Sequence, residues 1–203
     1  MKFIARTPWG EFDAEAKILT EYNIFNLLAS LPYFYSVGGD VPSFFQSLSS
    51  LSLPEGRLQK INERPIYIDY AHTPHALEQA CKSLKNHENK LILVFGAGGD
   101  RDTGKRKQMG EVADKYADEI IVTSDNPRNE DPAKIADMII DGISNESKIH
   151  IELDRSKAIS RAIDKMDGTS TLLVCGKGHE KNQIIGNNKF FFSDKEEIIK
   201  CIN

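Results

Sequence analysis

The chain has 203 residues, of which 40% are hydrophobic and 28% charged, a balance typical of globular proteins. This length suits one α/β domain, or one domain with an appendage. The formal net charge of -4 argues against nonspecific binding to nucleic acid, and no apolar run approaches the roughly 20 residues that span a bilayer.

The three cysteines are Cys81, Cys175 and Cys201, an odd number without the spacing of a metal site. The N-terminal residues lack the apolar core and small-residue cleavage site of a secretory signal. We therefore expect free thiols in a reducing cytoplasm, two of them buried as small hydrophobic groups.

The first 63 residues predict a hairpin, two helices and a linker. In chain order, these elements are 2–6 paired with 11–12 around Pro8-Trp9-Gly10, 22–35, 42–51 and 49–56. The helices carry more large apolar side chains than such a small unit can bury. Some of these side chains are expected to pack on the rest of the chain or on a partner. We place the domain boundary between residues 53 and 54.

From about residue 65 onward, apolar strands alternate with amphipathic helices. The predicted strands are 65–69, 90–95, 119–122, 150–153 and 171–175, and the predicted helices are 74–84, 105–116, 132–142, 156–164 and 194–201. This alternation implies βαβ units and an α/β fold with a mainly parallel sheet and flanking helices. Thr73 and Asp131 precede prolines and predict helix caps, whereas Gly142 and Gly168 predict helix exits.

An acid, an amide, a proline and an arginine, Asp125-Asn-Pro-Arg128, follow the apolar run that starts at Ile120. Ligands bind at strand ends in α/β proteins. Asn126 can donate and accept hydrogen bonds, and Arg128 can hold a carboxylate with two parallel bonds. The string therefore suits a small zwitterion or a phosphate. It equally suits an exposed loop whose aspartate caps the next helix, and the string alone does not decide.

Three other polar clusters fall near strand ends or the linker. Asp69 ends a predicted strand, and His72 precedes a helix N-terminus, where anions are favoured. The turn Gly176-Lys-Gly-His-Glu180 presents Glu180 to a cation or an amine, and Arg57 at the linker can clamp a phosphate. Each cluster also has a plain structural interpretation: a capped helix entry, a solvated turn and a surface arginine.

The segment from Gly99 to Lys105 nearly matches a phosphate-binding loop that follows a strand and opens a helix. Position 106 should then be Ser or Thr, but it is Arg106, and two aspartates within the loop would repel a triphosphate. We interpret the segment as a look-alike, and keep a P-loop nucleotide hydrolase that uses this loop and Asp125 as an alternative.

Loops at the carboxyl ends of parallel strands converge on one edge of a sheet. We therefore expect a shared pocket formed by Arg101, Asn126, Arg128, Gly176 and Glu180. Two arginines and one carboxylate suit an amino acid that has more than one carboxylate and an additional ammonium group.

These strings, in this order, resemble the Mur ligase family, and within it the members that add meso-diaminopimelate. The strings that carry the resemblance are Gly56-Arg57, Asp69-Tyr-Ala-His-Thr-Pro74, Gly98-Gly-Asp-Arg-Asp-x-Gly-Lys-Arg106, Asp125-Asn-Pro-Arg128 and Gly176-Lys-Gly-His-Glu180. The resemblance covers nearly the whole chain from Phe3 onward. It implies a Rossmann-like C-terminal amino-acid-binding domain at 54–203, preceded at 1–53 by the last part of a central ATP-binding domain.

The resemblance also implies the roles of individual residues. Diaminopimelate would be held by Arg101, Asp125, Asn126, Arg128, Gly176 and Glu180. The nucleotide would be contacted by Asn23, Asn26, Arg57, Asp69 and His72.

The activity implied by the resemblance is ATP-dependent amide-bond formation in peptidoglycan synthesis, with ATP and Mg2+ bound through the central domain. The implied partners are meso-diaminopimelate, the UDP-MurNAc-dipeptide and a separate N-terminal part, without nucleic acid or membrane. An acyl phosphate forms on the substrate, and the amine of the incoming amino acid displaces the phosphate.

The chain departs from the family pattern at several places. It has no Gly-Thr-Asn-Gly-Lys-Thr type loop, and it carries Thr20, Leu58-Gln59 and His75 where Gly, Met-Glu and Asp are usual. We therefore expect a C-terminal fragment that keeps the amino-acid pocket and is inactive alone. The noncatalytic alternative is a free-standing binding module or a decayed gene product.

Overall fold

The computed structural model describes residues 1–17, 21–51, 54–86 and 88–203. They form two compact units, an N-terminal unit Met1–Pro54 and a C-terminal unit Glu55–Asn203. Residues 52 and 53 of the predicted linker, and Thr20, lie outside the described residues. Within the described part of the chain, no helix combines the length and apolar character that a membrane crossing requires.

The N-terminal unit contains the predicted hairpin and the two predicted helices. Its elements are β1 (Lys2–Thr7), β2 (Gly10–Glu15), α1 (Glu21–Ser36) and α2 (Val41–Ser47), followed by a 3-10 turn at Leu48–Ser50. The second helix is shorter than predicted because its last turn tightens into that 3-10 turn. Its start is fixed by Asp40, whose side chain accepts a hydrogen bond from the Ser43 amide.

The core of the N-terminal unit is small and aromatic. Ala5 and Ala14 face the helices, and the rings of Phe12 and Phe45 stack with their centroids 4.5 Å apart. Other large apolar side chains stay outside this core, as the sequence predicts. The exposed fractions are 68% for Phe25 and 73% for Tyr33.

The C-terminal unit is built on a six-stranded sheet. Its strands are β3 (Gln59–Lys60), β4 (Ile66–Asp69), β5 (Lys90–Phe95), β6 (Glu119–Val122), β7 (Ile149–Ile151) and β8 (Ser170–Cys175). Their order is β3-β4-β8-β5-β6-β7, and every pair except the antiparallel β3–β4 is parallel. The predicted mainly parallel α/β sheet is confirmed, with β7 starting one residue early and ending two early.

Helices cover both faces of this sheet. They are α3 (Pro74–Leu84), α4 (Gly104–Tyr116), α5 (Pro132–Ile140), α6 (Arg155–Asp164) and α7 (Asp194–Ile202). The first three pack on one face, and α6 and α7 pack on the other. The chain progresses from β5 to β7 in one direction and returns to β8, so right-handed crossovers place α6 on the opposite face. The predicted caps are confirmed, because Thr73 and Asp131 accept hydrogen bonds from backbone amides of α3 and α5.

The central strands alternate strictly between the two cores. In β5, Leu93 and Phe95 face α3 and α4, whereas Ile92 and Val94 face α6. All six residues of β8 are buried. A strand buried on both faces reads as a continuous apolar run, which is why these strands could be located from the sequence.

The two glycines predicted at helix exits differ in outcome. Gly142 directly follows Asp141, the C-cap of α5, and its amide donates to the Ile139 carbonyl, so this exit is confirmed, although Gly142 is not among the positive-φ glycines. Gly168 lies beyond Lys165, the C-cap of α6, without adjoining it, so that prediction is wrong. Gly142 also permits close helix packing, because a Cβ there would lie 2.0 Å from the Lys107 carbonyl of α4.

A second hairpin, formed by β9 (Asn182–Ile185) and β10 (Asn188–Phe191), was not predicted. Its strands are short and mostly exposed, and no alternating apolar pattern marks them. The hairpin matters because Ile185 forms a parallel bridge with Arg128, in the loop that follows β6.

The N-terminal unit should be the less stable part of the chain, because its core is small and Phe25, Tyr33 and Val37 remain exposed. We expect limited proteolysis to cut first before Pro54 and to leave a resistant core starting near Gly56. Hydrogen exchange checks the same point, with the buried strands β5 and β8 as the internal reference. Equal protection of both units in a monodisperse monomer would contradict the prediction.

Candidate functional site

The loops that follow β4, β5, β6 and β8 lie at the carboxyl edge of four adjacent strands. This edge is where parallel α/β sheets bind ligands. The loops after β6 and β8 form what we call the polar cluster, consisting of Asp125 and Asn126 after β6 and Lys177 and Glu180 after β8.

Asn126 is the centre of the polar cluster. Its Nδ2 donates to Glu180 Oε2 at 3.0 Å, while its Oδ1 accepts from Lys177 Nζ at 3.0 Å and from the Ile184 amide at 2.9 Å. The side chain is buried. The amide therefore joins the loop after β6 to the loop after β8 and to the β9–β10 hairpin.

Lys177 was missed by the sequence analysis. Its side chain is fully buried, and Nζ lies 3.6 Å from both Asp125 Oδ1 and Glu180 Oε2. Burial lowers the pKa of the Lys177 ammonium, and the Asp125 carboxylate opposes that change. The available signal was its position: a lysine between Gly176 and Gly178, directly after a buried strand.

Asp125 is the carboxylate that the loop after β6 contributes to the polar cluster. It is buried, and burial raises the pKa of its carboxyl, while Arg155 and Lys177 oppose the rise. Its Oδ1 has no hydrogen-bond partner within the described residues. The Asp125 carboxylate thus faces internal cations, and its predicted direct contact with the amino acid stays a prediction.

Arg128 is held by its backbone. Its φ is 51°, its amide donates to the Ile184 carbonyl at 3.1 Å, and its carbonyl accepts from the Gly186 amide at 2.7 Å. The half-buried guanidinium donates to the Gly99 carbonyl at 2.8 Å. The β9–β10 hairpin and the loop after β5 thereby fix the position of the guanidinium.

The second arginine of the predicted pocket lies beside the first. A Cβ on Gly98 would be 3.0 Å from an Arg128 Nη and 3.5 Å from Arg101 Cγ. Arg101 is exposed and forms no ion pair with the described residues. The missing side chain at Gly98 thus makes room for the Arg128 guanidinium and for the aliphatic stem of Arg101.

Glu180 is half-buried and is also contacted from the β4 side. The hydroxyl of Tyr70 donates to Glu180 Oε1 at 3.4 Å, and the Arg57 guanidinium lies 4.9 Å from the centre of the Tyr70 ring. Burial, followed by the charge of Glu180, raises the pKa of Tyr70. The exposed Arg57 and Glu180 are therefore connected through one tyrosine.

Two residues predicted to contact the nucleotide lie beside Tyr70. His72 is exposed, and its Nδ1 is 2.8 Å from the Tyr70 carbonyl. Asp69 is buried, and its carboxylate accepts from the amides of Leu58 and Ala71 at 2.7 Å each. The structure thus gives Asp69 an anchoring role under the Arg57 loop, and its role toward a nucleotide stays a prediction.

Asn23 and Asn26 belong to α1 of the N-terminal unit. Asn23 is buried, and its Nδ2 has no hydrogen-bond partner within the described residues, whereas Asn26 is exposed. Their predicted contact with adenine stays a prediction.

Several backbone amides of the glycine-rich loop after β5 already have hydrogen-bond partners. Gly99 N–H donates to the Asn126 carbonyl, and Gly104 N–H donates to Asp102 Oδ1. Arg106 is fully buried and forms two parallel bonds to Glu130, at 2.7 and 2.8 Å. Arg106 stands where a phosphate-binding loop has a Ser or Thr hydroxyl, and here it anchors the loop through Glu130. This supports the interpretation of the loop as a look-alike.

The resemblance implies ATP and Mg2+, and the described residues suit the phosphates of ATP better than the metal ion. Arg57 and His72 are exposed cationic or donor groups at one edge, and they suit a phosphate. No group of three or more His, Cys, Asp or Glu side chains among the described residues could hold a metal ion.

Comparisons with known proteins agree with this architecture. The family model described as "Mur ligase, glutamate ligase domain" matches residues 56–178. The chain is 43% identical over 188 residues to the UDP-N-acetylmuramoyl-L-alanyl-D-glutamate--2,6-diaminopimelate ligase of Rickettsia bellii, covering 91% of this chain and 40% of that protein. It is 41% identical to the ligase of the same name from Coxiella burnetii, covering 97% of this chain and 41% of that protein.

Solved structures show the same fold. A structure of a UDP-N-acetylmuramoyl-L-alanyl-D-glutamate--2,6-diaminopimelate ligase matches with a TM-score of 0.71 and 36% identity, over 99% of this chain and 42% of that one. A pseudomurein peptide ligase from Methanothermus fervidus matches with a TM-score of 0.70 at 18% identity, over 87% of this chain and 37% of that one.

Fold and site together define a parallel α/β domain with a polar cluster at the carboxyl edge of its sheet. The chain belongs to the Mur ligase family. It spans about two fifths of the length of the relatives it matches.

The variant Arg106→Ser separates the look-alike from a true phosphate loop, because it completes the P-loop sequence. We expect no gain in ATP-magnesium binding and a loss of about 3 kcal/mol in the free energy of unfolding, since Glu130 loses a buried partner. Calorimetric titration with ATP-magnesium and chemical denaturation measure the two effects. Lys107→Ser, which changes an exposed residue one position further along α4, is the control. Tight ATP-magnesium binding by Arg106→Ser would revive the hydrolase alternative.

Proposed function

We propose that the C-terminal unit is the amino-acid-binding part of an ATP-dependent ligase that adds meso-diaminopimelate to UDP-MurNAc-L-Ala-D-Glu in peptidoglycan synthesis. The observation that carries the proposal is the contact between Asn126 and Glu180 beside Arg128 and Arg101. Membership of the Mur ligase family, and identity of about 40% to relatives named as diaminopimelate ligases, support the choice of amino acid.

Recognition of diaminopimelate follows from opposite charges at the two ends of the pocket. Arg101 and Arg128 supply planar donors for a carboxylate. Glu180, beside Gly176 and Asn126, supplies a carboxylate for an ammonium group. Diaminopimelate carries a carboxylate and an ammonium at each end, whereas lysine lacks the second carboxylate, so the arginine pair is the group that discriminates between them.

The contribution of this unit to ligation is orientation. Holding the amine of diaminopimelate in place converts a reaction between two separate molecules into a reaction within one complex. The chain's own residues bind the distal end and leave the reacting amine free toward the acyl phosphate. No residue of the polar cluster is assigned a proton-transfer role.

The edge with Arg57 and His72 suits the phosphates of ATP from this side, with Asp69 as the anchor beneath. We assign residues 1–53 to the end of a central ATP-binding domain, with Asn23 and Asn26 on its adenine side. The UDP-MurNAc-dipeptide, Mg2+ and a separate N-terminal part belong to the complete cytoplasmic enzyme.

Arg128→Lys should weaken diaminopimelate binding by more than about tenfold, or about 1.4 kcal/mol, because a lysine cannot reproduce a bidentate arginine–carboxylate pair. Calorimetric titration of the chain with meso-diaminopimelate measures the change. The matched control is Arg64→Lys, an exposed arginine at the opposite end of β4, for which we expect no change. Unchanged affinity in Arg128→Lys would mean that the carboxylate is recognised elsewhere.

The 203-residue chain should bind diaminopimelate without ligating it. Its sequence contains no Gly-Thr-Asn-Gly-Lys-Thr type loop, which normally stabilises the charge on a transferring phosphoryl group. The assay supplies ATP, Mg2+, UDP-MurNAc-dipeptide and diaminopimelate, with the Coxiella burnetii relative as the positive control. Robust turnover by the pure chain would overturn the assignment of an incomplete enzyme.

A further inference from the structure

We propose that Lys177 is a positioning residue of the amino-acid pocket: its buried ammonium orients the Asn126 amide and, through it, holds the Glu180 carboxylate in place for the ammonium group of the ligand. The proposal rests on the proposed function, in which Glu180 receives that ammonium. It assigns to Lys177 control over ammonium recognition, separate from carboxylate recognition by Arg128.

The first step concerns the burial of Lys177. Its side chain is fully buried, which is rare for a lysine unless acceptors surround it. Gly176 and Gly178 have φ values of 116° and 53°, so the backbone adopts conformations that are strained for other residues on both sides of it. A loop with two glycines at such angles places one cation beneath the pocket.

The second step concerns the direction of the Asn126 amide. A lysine ammonium and a backbone N–H can only donate hydrogen bonds, and a carboxylate can only accept them. Lys177 Nζ and the Ile184 N–H lie on one side of Asn126, and Glu180 lies on the other. The amide oxygen must therefore face Lys177, and the amide nitrogen must face Glu180. Removing the ammonium leaves this orientation dependent on one backbone donor.

The third step concerns charge. Lys177 Nζ is 3.6 Å from the carboxylates of both Asp125 and Glu180, and it offsets their mutual repulsion. Arg155 and Asp194 are the other charged groups that act on Lys177 from the elements packed against it. Asp125 is buried and cannot move away, whereas Glu180 is half-exposed. Loss of the Lys177 charge should therefore displace Glu180.

The test compares two ligands that differ only at the groups Glu180 would recognise. Pimelate has the same carbon chain and both carboxylates of diaminopimelate, but neither amino group. In Lys177→Met, we expect the affinity for diaminopimelate to fall by about tenfold or more and the affinity for pimelate to change by less than about twofold. Both are followed by NMR titration of the full chain. A purely structural defect would weaken both ligands equally, and that result would overturn the proposal.

A second readout needs no ligand. The side-chain amide resonances of Asn126 should move toward free-amide values in Lys177→Met, because the bond to Glu180 is loosened. Lys165→Met is the matched control, since Lys165 pairs with Glu119 at the opposite end of β6. That variant should leave both the Asn126 resonances and the diaminopimelate affinity unchanged.

If circular dichroism shows that Lys177→Met does not fold, the two ligands are compared in Lys177→Gln. It keeps a donor for Asn126 but removes the charge, so diaminopimelate should still bind more weakly relative to pimelate. Unchanged diaminopimelate affinity in the folded variant overturns the positioning role alone. Failure of the wild-type chain to bind diaminopimelate overturns the proposed function instead, and this inference with it.

Discussion

The buried ion pair between Arg155 and Asp194 is the contact on which the geometry of the site depends. Arg155 donates to both Asp194 oxygens, at 2.7 and 2.8 Å, and also to the carbonyls of Cys175 and Ser124. Cys175 ends β8 and Ser124 follows β6, so one side chain joins the two loops that carry the polar cluster. Desolvating such a pair costs several kcal/mol and is offset only when its hydrogen bonds are complete. The pair therefore fixes geometry more than it adds net stability.

The sequence was sufficient for the scaffold because the scaffold depends on simple patterns. Strands such as Lys90–Phe95 and Ser170–Cys175 contain continuous apolar runs, and Thr73 and Asp131 mark helix starts by their chemistry. Parallel connectivity then brings the loops after four strands to one edge. The contact between Asn126 and Glu180, 54 positions apart, follows from that topology.

What the sequence could not supply is the location of buried charge. Lys177, Arg106 and Arg155 are all at least 99% buried, yet a lone basic residue in a sequence is normally interpreted as exposed. Their burial depends on partners such as Glu130 and Asp194, which are distant along the chain. The β9–β10 hairpin was missed for a related reason. It is stabilised through bonds to the loop after β6 rather than by an apolar pattern of its own.

The charges that the pocket presents to a ligand are those that the buried charged groups do not neutralise. Lys177 is shared between two carboxylates, so neither is fully neutralised. Among the described residues, Asp125 has a second internal cation in Arg155, whereas Glu180 has only neutral donors besides Lys177 and is half-exposed. Arg101 and Arg128 have no carboxylate partner of their own within the described residues. The interior thus leaves a negative charge at Glu180 and positive charge around Gly98, and a ligand that completes both must carry an ammonium and a carboxylate together.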